Sequence, residues 1–329
     1  MAHAVENSRS NGIMFSPRTP QMRARQRFSL STIRLIDEEL DVSGLENLVG
    51  QTWNIYAVSA LFGLQQDDIH FKLYSKRLRE EIASTLSHED VTYDAKFTIM
   101  ENIVPKTNEN YLPIKIEVIA NINEGEKEKS LYQGILLSWR ITQAEPNTKN
   151  LARLPLLLCR GTSNCIDAVH STIIRMFDCL IITLSLKEDD LSWLLPIIIM
   201  TNKEEPVVSG EVQMVHTVPD LPVTDTITVK FQTTELRKIL SAIIINQNDE
   251  VNTFLMREHV ELFFEVLHKQ MLVIGGINLG LCSLYRINLP GITIMENKMK
   301  IMNVEIMDNV LLYLNEKAFD IFHAVHIDT

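Results

Sequence analysis

The sequence predicts an α/β (α+β) fold: two mostly antiparallel sheets with packed helices, preceded by a disordered basic N-terminal tail. Two patterns carry this expectation. Apolar residues recur every second position in some segments, as in half-buried strands, and every third or fourth in others, as in amphipathic helices. The composition, 46% hydrophobic and 22% charged with mean hydropathy +0.03, is that of an ordinary soluble globular chain. It excludes a mainly disordered or collagen-like protein. At roughly 150 residues per domain, 329 residues give about two domains or one large one.

The first element is a tail. Residues 1–34 are rich in Ser, Arg, Asn and Pro, and no apolar period offsets the entropy of ordering them. Gly44 to Gly50 reads as a short helix and the aromatic, β-branched WNIYAVSALF (Trp53 to Phe62) as a strand ended by Gly63. Asp67 or Asp68 can cap a helix in which Tyr74, Leu78, Ile82 and Leu86 face inward, with Lys76, Arg77, Arg79 and Glu80 on the other side. From Asp90 to Ile141 the period is two, as in Ile114-Lys-Ile-Glu-Val118, with the charged turn Asn123 to Lys129 between strands. This reads as an antiparallel meander. A strand at Leu154 to Cys159 leads to a helix from Ser163 to Asp178, and a second helix starts at Asp189 with Trp193, Leu194, Ile197 and Ile198 on one side.

The polar, Pro-terminated TNKEEP (Thr201 to Pro206) is the best internal boundary. It divides the chain into a tail (1–34), an N-terminal α/β domain (35–205) and a C-terminal α/β domain (206–329). The last of these begins with strands near Val208 to His216 and Thr224 to Phe231, the latter alternating Ile227, Val229 and Phe231 against Thr226, Thr228 and Lys230. A helix from Thr234 to Ile245 and a longer one with Val260, Phe263, Phe264, Leu267 and Met271 inward follow. Strands are expected near Leu272 to Asn278, Ser283 to Asn288 and Met299 to Val304, then a last helix over 306–323 with Val310, Leu314, Ala318 and Ile321 inward.

Charge is unevenly placed. The net −11 divides into six arginines against one glutamate in residues 1–34, a net +5, and −16 on the rest. A body that acidic does not wrap nucleic acid over its whole surface, so nucleic-acid contact falls to Arg23, Arg25 and Arg27 of the tail or to a local basic face such as Lys72, Lys76, Arg77 and Arg79. A solvated tail and a solvated helix face are the plainer readings. Ser16-Pro17, Thr19-Pro20 and Ser29, with Arg at −2 and −4, are phosphorylation candidates. A phosphate there would cancel about 1.5 to 2 charges. The first 30 residues lack a signal peptide's apolar stretch, and no apolar run approaches the ~20 residues a bilayer needs, so the chain reads as intracellular.

Enzymatic signatures each fail on a residue they need. Gly275 to Gly280 (GGINLG) has phosphate-loop glycines, but Leu281 and Cys282 stand where Lys and Ser or Thr belong, which leaves a glycine-rich turn. No G-x-G-x-x-G opens a βα unit, and no G-x-S-x-G or H-E-x-x-H occurs. His259 and His268, nine apart, point about 180° away from each other on a helix; His323 and His326 are the only spaced pair and read as a helix end. Cys159, Cys165, Cys179 and Cys282 form no CxxC and read as reduced packing residues. The adjacent acids Asp189-Asp190 and Glu204-Glu205 read as solvated caps or loops. No catalytic, cofactor or metal residue is assigned.

Two blocks nevertheless resemble the centromere protein L family of the inner kinetochore, the constitutive centromere-associated network. The first is Leu48-Val-Gly-Gln-Thr-Trp53-Asn-Ile-Tyr56 through Phe62, with the helix bearing Tyr74, Leu78 and Leu86. The second runs from Leu154-Pro155-Leu156-Leu157-Leu158 through Gly161 and Phe177-Asp178-Cys179 to Leu191-Ser192-Trp193. The resemblance implies a non-enzymatic nuclear scaffold that binds no cofactor, membrane or small-molecule substrate. It implies pairing with a centromere protein N homologue and, with other constitutive centromere subunits, a role in tying the centromere protein A nucleosome and its linker DNA to the kinetochore. In the family, pairing joins sheets across the two proteins through the C-terminal region. The expected strands are then Thr224 to Phe231, with Ile227, Val229 and Phe231, and Met299 to Val304, with Ile301 and Val304, unless either is internal. A stand-alone nucleic-acid-binding chromatin or recombination protein, and an enzyme with a spatially assembled site, are the other classes weighed.

Overall fold

Strands from both halves of the chain pair into a single antiparallel sheet. The computed structural model describes residues 32–34, 44–86, 91–101, 111–122, 127–139, 150–201, 210–222, 224–247 and 254–323. In chain order the strands are β1 (Thr32–Arg34), β2 (Thr52–Val58), β3 (Leu61–Phe62), β4 (Val91–Ile99), β5 (Ile114–Ile122), β6 (Lys127–Leu137), β7 (Leu151–Ala152), β8 (Leu156–Gly161) and β9 (Ile181–Thr183). The C-terminal half adds β10 (Glu211–Thr217), β11 (Thr226–Gln232), β12 (Phe254–Met256), β13 (Ser283–Leu289), β14 (Ile292–Met295) and β15 (Lys298–Ile301). The helices are α1 (Asp68–Leu86), α2 (Ser163–Phe177), α3 (Glu188–Met200), α4 (Thr233–Gln247), α5 (Arg257–Gly275) and α6 (Val304–His323).

The main sheet runs β11-β10-β13-β14-β15-β2-β8-β6-β5-β4, with β9 also on β2. The mixed α/β, antiparallel character is as the sequence predicts. The two expected sheets are continuous, however, because β15 pairs with β2 in the register Lys298 to Asn54, Met299 to Trp53 and Lys300 to Thr52.

Helices cover the two faces at staggered positions. On one face Trp53, Ile55, Ala57, Leu156, Leu158, Ile135 and Leu137 join Val212, Met214, Ile287, Ile294, Met299 and Ile301 in a core closed by α3, α4, α5 and α6. On the other face Tyr132, Leu136, Leu157, Cys159, Phe97, Ile116 and Val118 pack under α1 and α2 through Phe71, Leu78, Ile82, Val169 and Ile173. The central strands β2, β8 and β6 therefore contribute to both cores, which is why β8 and the end of β6 read as apolar runs. α1 is capped as expected: Asp67 Oδ1 accepts the N–H groups of Ile69 and His70 at 3.0 and 2.9 Å.

Some elements differ from expectation. Residues 272–275 continue α5 rather than forming a strand, because the 3.6 period of Val260 to Met271 runs on until Gly276, at φ 65°, closes the helix. β14 is an unanticipated four-residue strand entered through the Pro290-Gly291 turn. Thr32–Arg34, assigned to the tail, pairs with β12, Ile33 opposite Leu255. Residues 1–31, and all but the first residue of the 201–206 boundary, lie outside the described residues.

α6 is tied to the N-terminal half by buried polar contacts. The Trp139 indole donates to Asp308 Oδ1 at 2.8 Å and its backbone N–H to Asn315 Oδ1 at 2.7 Å. Asp190, read from sequence as a solvated cap, caps α3 by accepting the Lys187 N–H at 2.6 Å but is buried, and also accepts the Tyr313 hydroxyl at 2.9 Å and the Lys317 ammonium.

Candidate partner-binding edge and basic sheet face

The sheet has two ends, and they differ. At one end β4 is an edge on which two backbone donors are already used. The Phe97 N–H donates to Ser75 Oγ on α1 at 3.0 Å and the Ala95 N–H to Asp94 Oδ1 at 2.9 Å. Asp94 itself meets Arg79 of α1 at 3.7 Å. Capping of this kind is how edges avoid adding a strand. At the other end β11 pairs only with β10, and among the described residues no side chain caps it in this way. Ile227, Val229 and Phe231 face the core side, Val229 buried, while Thr226, Thr228 and Lys230 face out. β11 is thus a seven-residue strand whose outer row of donors and acceptors meets no further strand among the described residues.

β15 is different. It is paired on both sides, with β14 and β2, so its Ile301 is buried and it has no edge to offer; Val304 is the first residue of α6. The sequence could not separate the two strands because an internal and an edge strand with one wet face alternate alike.

The register also gathers residues that the sequence scatters. Directly opposed residues share a face, so Lys300, Thr293, Asn288, Gln213 and Lys230 form one row across β15, β14, β13, β10 and β11. Lys298, Met295, Arg286, Val215 and Thr228 form the next. This face lies opposite the core closed by α3 to α6, and among the described residues no helix packs on it. Lys230 meets Glu211 at 3.3 Å; Arg286, Lys298 and Lys300 meet no carboxylate among the described residues, and Arg286 Nε is buried without an acceptor. Five strands at ~4.8 Å spacing make a basic face about 19 Å across.

The sequence-predicted cations lie elsewhere. Lys76 and Arg77 are on the solvent side of α1, Lys76 at 3.9 Å from Glu80, as a solvated helix face. Arg23, Arg25, Arg27, Ser16, Thr19 and Ser29 lie outside the described residues.

The titratable groups offer no assembled nucleophile. Burial pushes the Cys159 thiol up to about 12, against a hydrogen bond from Tyr132, and burial pushes Cys165 and Cys179 up to about 11. His170, packed edge-on against Tyr56 at 4.6 Å, is driven down to about 4 by burial, partly opposed by Asp167. Burial, with His268 adding to it, drives His216 to about 4 as well. Among the described residues no group of three or more His, Cys, Asp or Glu is placed to hold a metal ion, and no helix is long and apolar enough to cross a membrane.

The residues behind the family resemblance are structural. The Trp53 indole donates to the Leu48 carbonyl at 2.8 Å, with the Arg160 guanidinium 5.7 Å from its ring. Phe177 packs edge-on to Tyr74 at 4.9 Å, Asp178 closes α2 at φ 43°, and Trp193 is buried. Motif residues that fix packing, a strand edge with no side-chain cap among the described residues and a polar sheet face characterise a structural α/β protein.

The comparisons give that class a family. The family model for centromere protein L matches residues 47–319, and the chain belongs to the centromere protein L family. A search of curated proteins returns no match. Membership places the chain among structural proteins of the centromere and kinetochore that serve chromosome segregation in association with other subunits of the centromere complex.

Proposed function

We propose that the chain is a non-enzymatic inner-kinetochore subunit that heterodimerises with a centromere protein N homologue by adding the partner's strand to β11, and so helps link centromere protein A chromatin to the kinetochore. The observation that carries this is the contrast between the two sheet edges: β4 has two donors capped by Ser75 and Asp94, and among the described residues no side chain caps β11. Main-chain bonds along seven residues supply affinity, and the alternation of side chains sets register. In this reading residues 206–329 are the partner-binding part and 35–205 the part facing other subunits.

Coexpression with the homologue should give a complex that survives gel filtration, with amide exchange at 226–232 slowed only in the complex. No complex, or a complex in which 226–232 exchange as in the free chain, counts against the edge.

A DNA contact is the second part of the reading, favoured by Arg286, Lys298 and Lys300 standing on one sheet face and meeting no carboxylate among the described residues. The tail arginines would add to it, under the control of phosphate at Ser16, Thr19 or Ser29. Charge reversal at Lys298 or Lys300 should lower the salt slope of DNA binding by about 1 each. An unchanged slope assigns any DNA affinity to the tail.

A further inference from the structure

α5 ends in a turn whose composition does not suit its position. Leu272, Val273 and Ile274 are 51%, 84% and 77% exposed, and Leu281 in the next turn is 69% exposed. Three successive residues of a helix point about 100° apart, so this last turn is apolar on every side, the pattern of a helix segment that is covered all round. No charged residue occurs from Gln270 to Leu284. The turn is also firmly closed: the Gly276 N–H donates to the Leu272 carbonyl at 3.1 Å and the Ile277 N–H to the Met271 carbonyl at 3.3 Å.

The topology puts this tip beside the open edge. On β10, Thr217 lies opposite both Thr226, where β11 begins, and Ser283, where β13 begins. α5 enters β13 through residues 276–282, so its tip stands at the end of the sheet where β11 starts. Leu221, 53% exposed in the β10–β11 connection, is at the same end.

We infer that the α5 tip is a knob that seats in an uncharged apolar socket of the partner subunit, next to the strand that this partner adds to β11. The inference rests on the edge reading above and names the second half of that interface. A second copy of the chain does not fit. Antiparallel self-pairing of β11 would set Thr226 of one copy across from Gln232 of the other. Each tip would then face the start of the other's α4, where Thr234, Glu235 and Lys238 are exposed. The tip and Leu221 together present roughly 500 Å² of apolar surface against the about 800 Å² each member of a stable pair buries, and the strand edge supplies the remainder.

The test uses the full-length chain and the full-length centromere protein N homologue. V273E/I274E, and separately L281E, should melt like the wild type, because the side chains are exposed, and should bind the homologue about 100-fold more weakly. Amides 271–282 should slow in exchange on complex formation. Binding by both variants within twofold of wild type, with 226–232 still protected, overturns the knob and leaves the edge reading standing. Failure of the wild type to bind overturns the edge reading and the knob with it. Two further results overturn the knob alone: a homodimer of the free chain that V273E/I274E disrupts, which makes the occupant a second copy, and protection of 271–282 already present in the free monomer, which makes it the chain's own remainder.

Discussion

Asp190→Ala should be among the most damaging single substitutions in the molecule, although Asp190 sits beside an exposed acid and touches no surface used for binding. Its carboxylate accepts the Tyr313 hydroxyl at 2.9 Å, the Lys187 N–H at 2.6 Å and the Lys317 ammonium, with side-chain exposures of 5% for Asp190 and 13% for Lys317. Three hydrogen bonds to a charged group at roughly 1.5–3 kcal/mol each would exceed 4 kcal/mol, but the carboxylate's own burial costs part of that. Removing one member of a buried pair typically costs about 3–5 kcal/mol, and that is the expected loss. Urea unfolding at pH 7 should show it as a lower midpoint with an unchanged slope. The matching control is Asp190→Leu with Tyr313→Phe and Lys317→Met, which removes the two side-chain donors and the acceptor together, leaves only the Lys187 N–H without its cap, and should recover most of the loss. A loss below about 1 kcal/mol for Asp190→Ala, or a triple variant as unstable as the single one, would refute the account of how α6 is held to the N-terminal half.

Stability should fall in acid through two histidines. His170 and His216 are held near 4 in the folded chain against about 6.5 unfolded, so the unfolded state takes up protons first as pH drops. Their contribution is complete above pH 6.5, is lost progressively between 6.5 and 4, and amounts to at most about 3 kcal/mol each, read as melting temperature against pH with His170→Gln flattening the curve. Gly134→Ala should destabilise by about 1–3 kcal/mol, because a Cβ there would lie 2.4 Å from the hydroxyl of the fully buried Tyr132; adding Tyr132→Leu should relieve part of it in thermal melts. Of the four thiols only Cys282 is partly exposed, so native protein should react with a thiol reagent at one site quickly, and at all four only in denaturant.

What could be read from the sequence follows from how far apart the partners are. α1, α2, α3 and α6 announce themselves through local periodicity, and so do the strands with one wet face, such as Ile114 to Val118 and Thr226 to Phe231. β15 gave its position but not its neighbours: the pairing with β2 that fuses the two sheets spans some 240 residues and leaves no local trace. The same distance effect hid Asp190, whose partners lie 123 and 127 residues away, and an acid next to another acid reads as solvated until those partners are placed. The run at 272–278 misled because Val, Ile and Gly suit a strand end in isolation; the preceding helix simply continues through it. The basic sheet face was illegible for a different reason. Arg286, Lys298, Lys300 and Lys230 come from three strands and meet only through register.

The staggered helical layers give the two ends of the sheet different surfaces. Each end of the sheet has one covered face, one polar face and one edge. At the β4 end the edge is capped and the polar face is charge-balanced, with Lys115 and Glu117 at 2.7 Å and Asp94 on Arg79. Such a surface gains little from a new neighbour, because its groups would have to give up existing partners. At the β11 end, among the described residues, no side chain caps the edge, Lys230 is paired with Glu211 while Arg286, Lys298 and Lys300 on the same polar face meet no carboxylate, and the adjacent helix tip is apolar and exposed. Every one of these gains by being covered: backbone donors by a strand, cations by an anion, apolar side chains by an apolar socket. An acidic chain that keeps its exposed apolar tip and, among the described residues, three cations that meet no carboxylate together at one end has the polarity that the proposed binding through that end requires, and the charge of the whole, −11, conceals it.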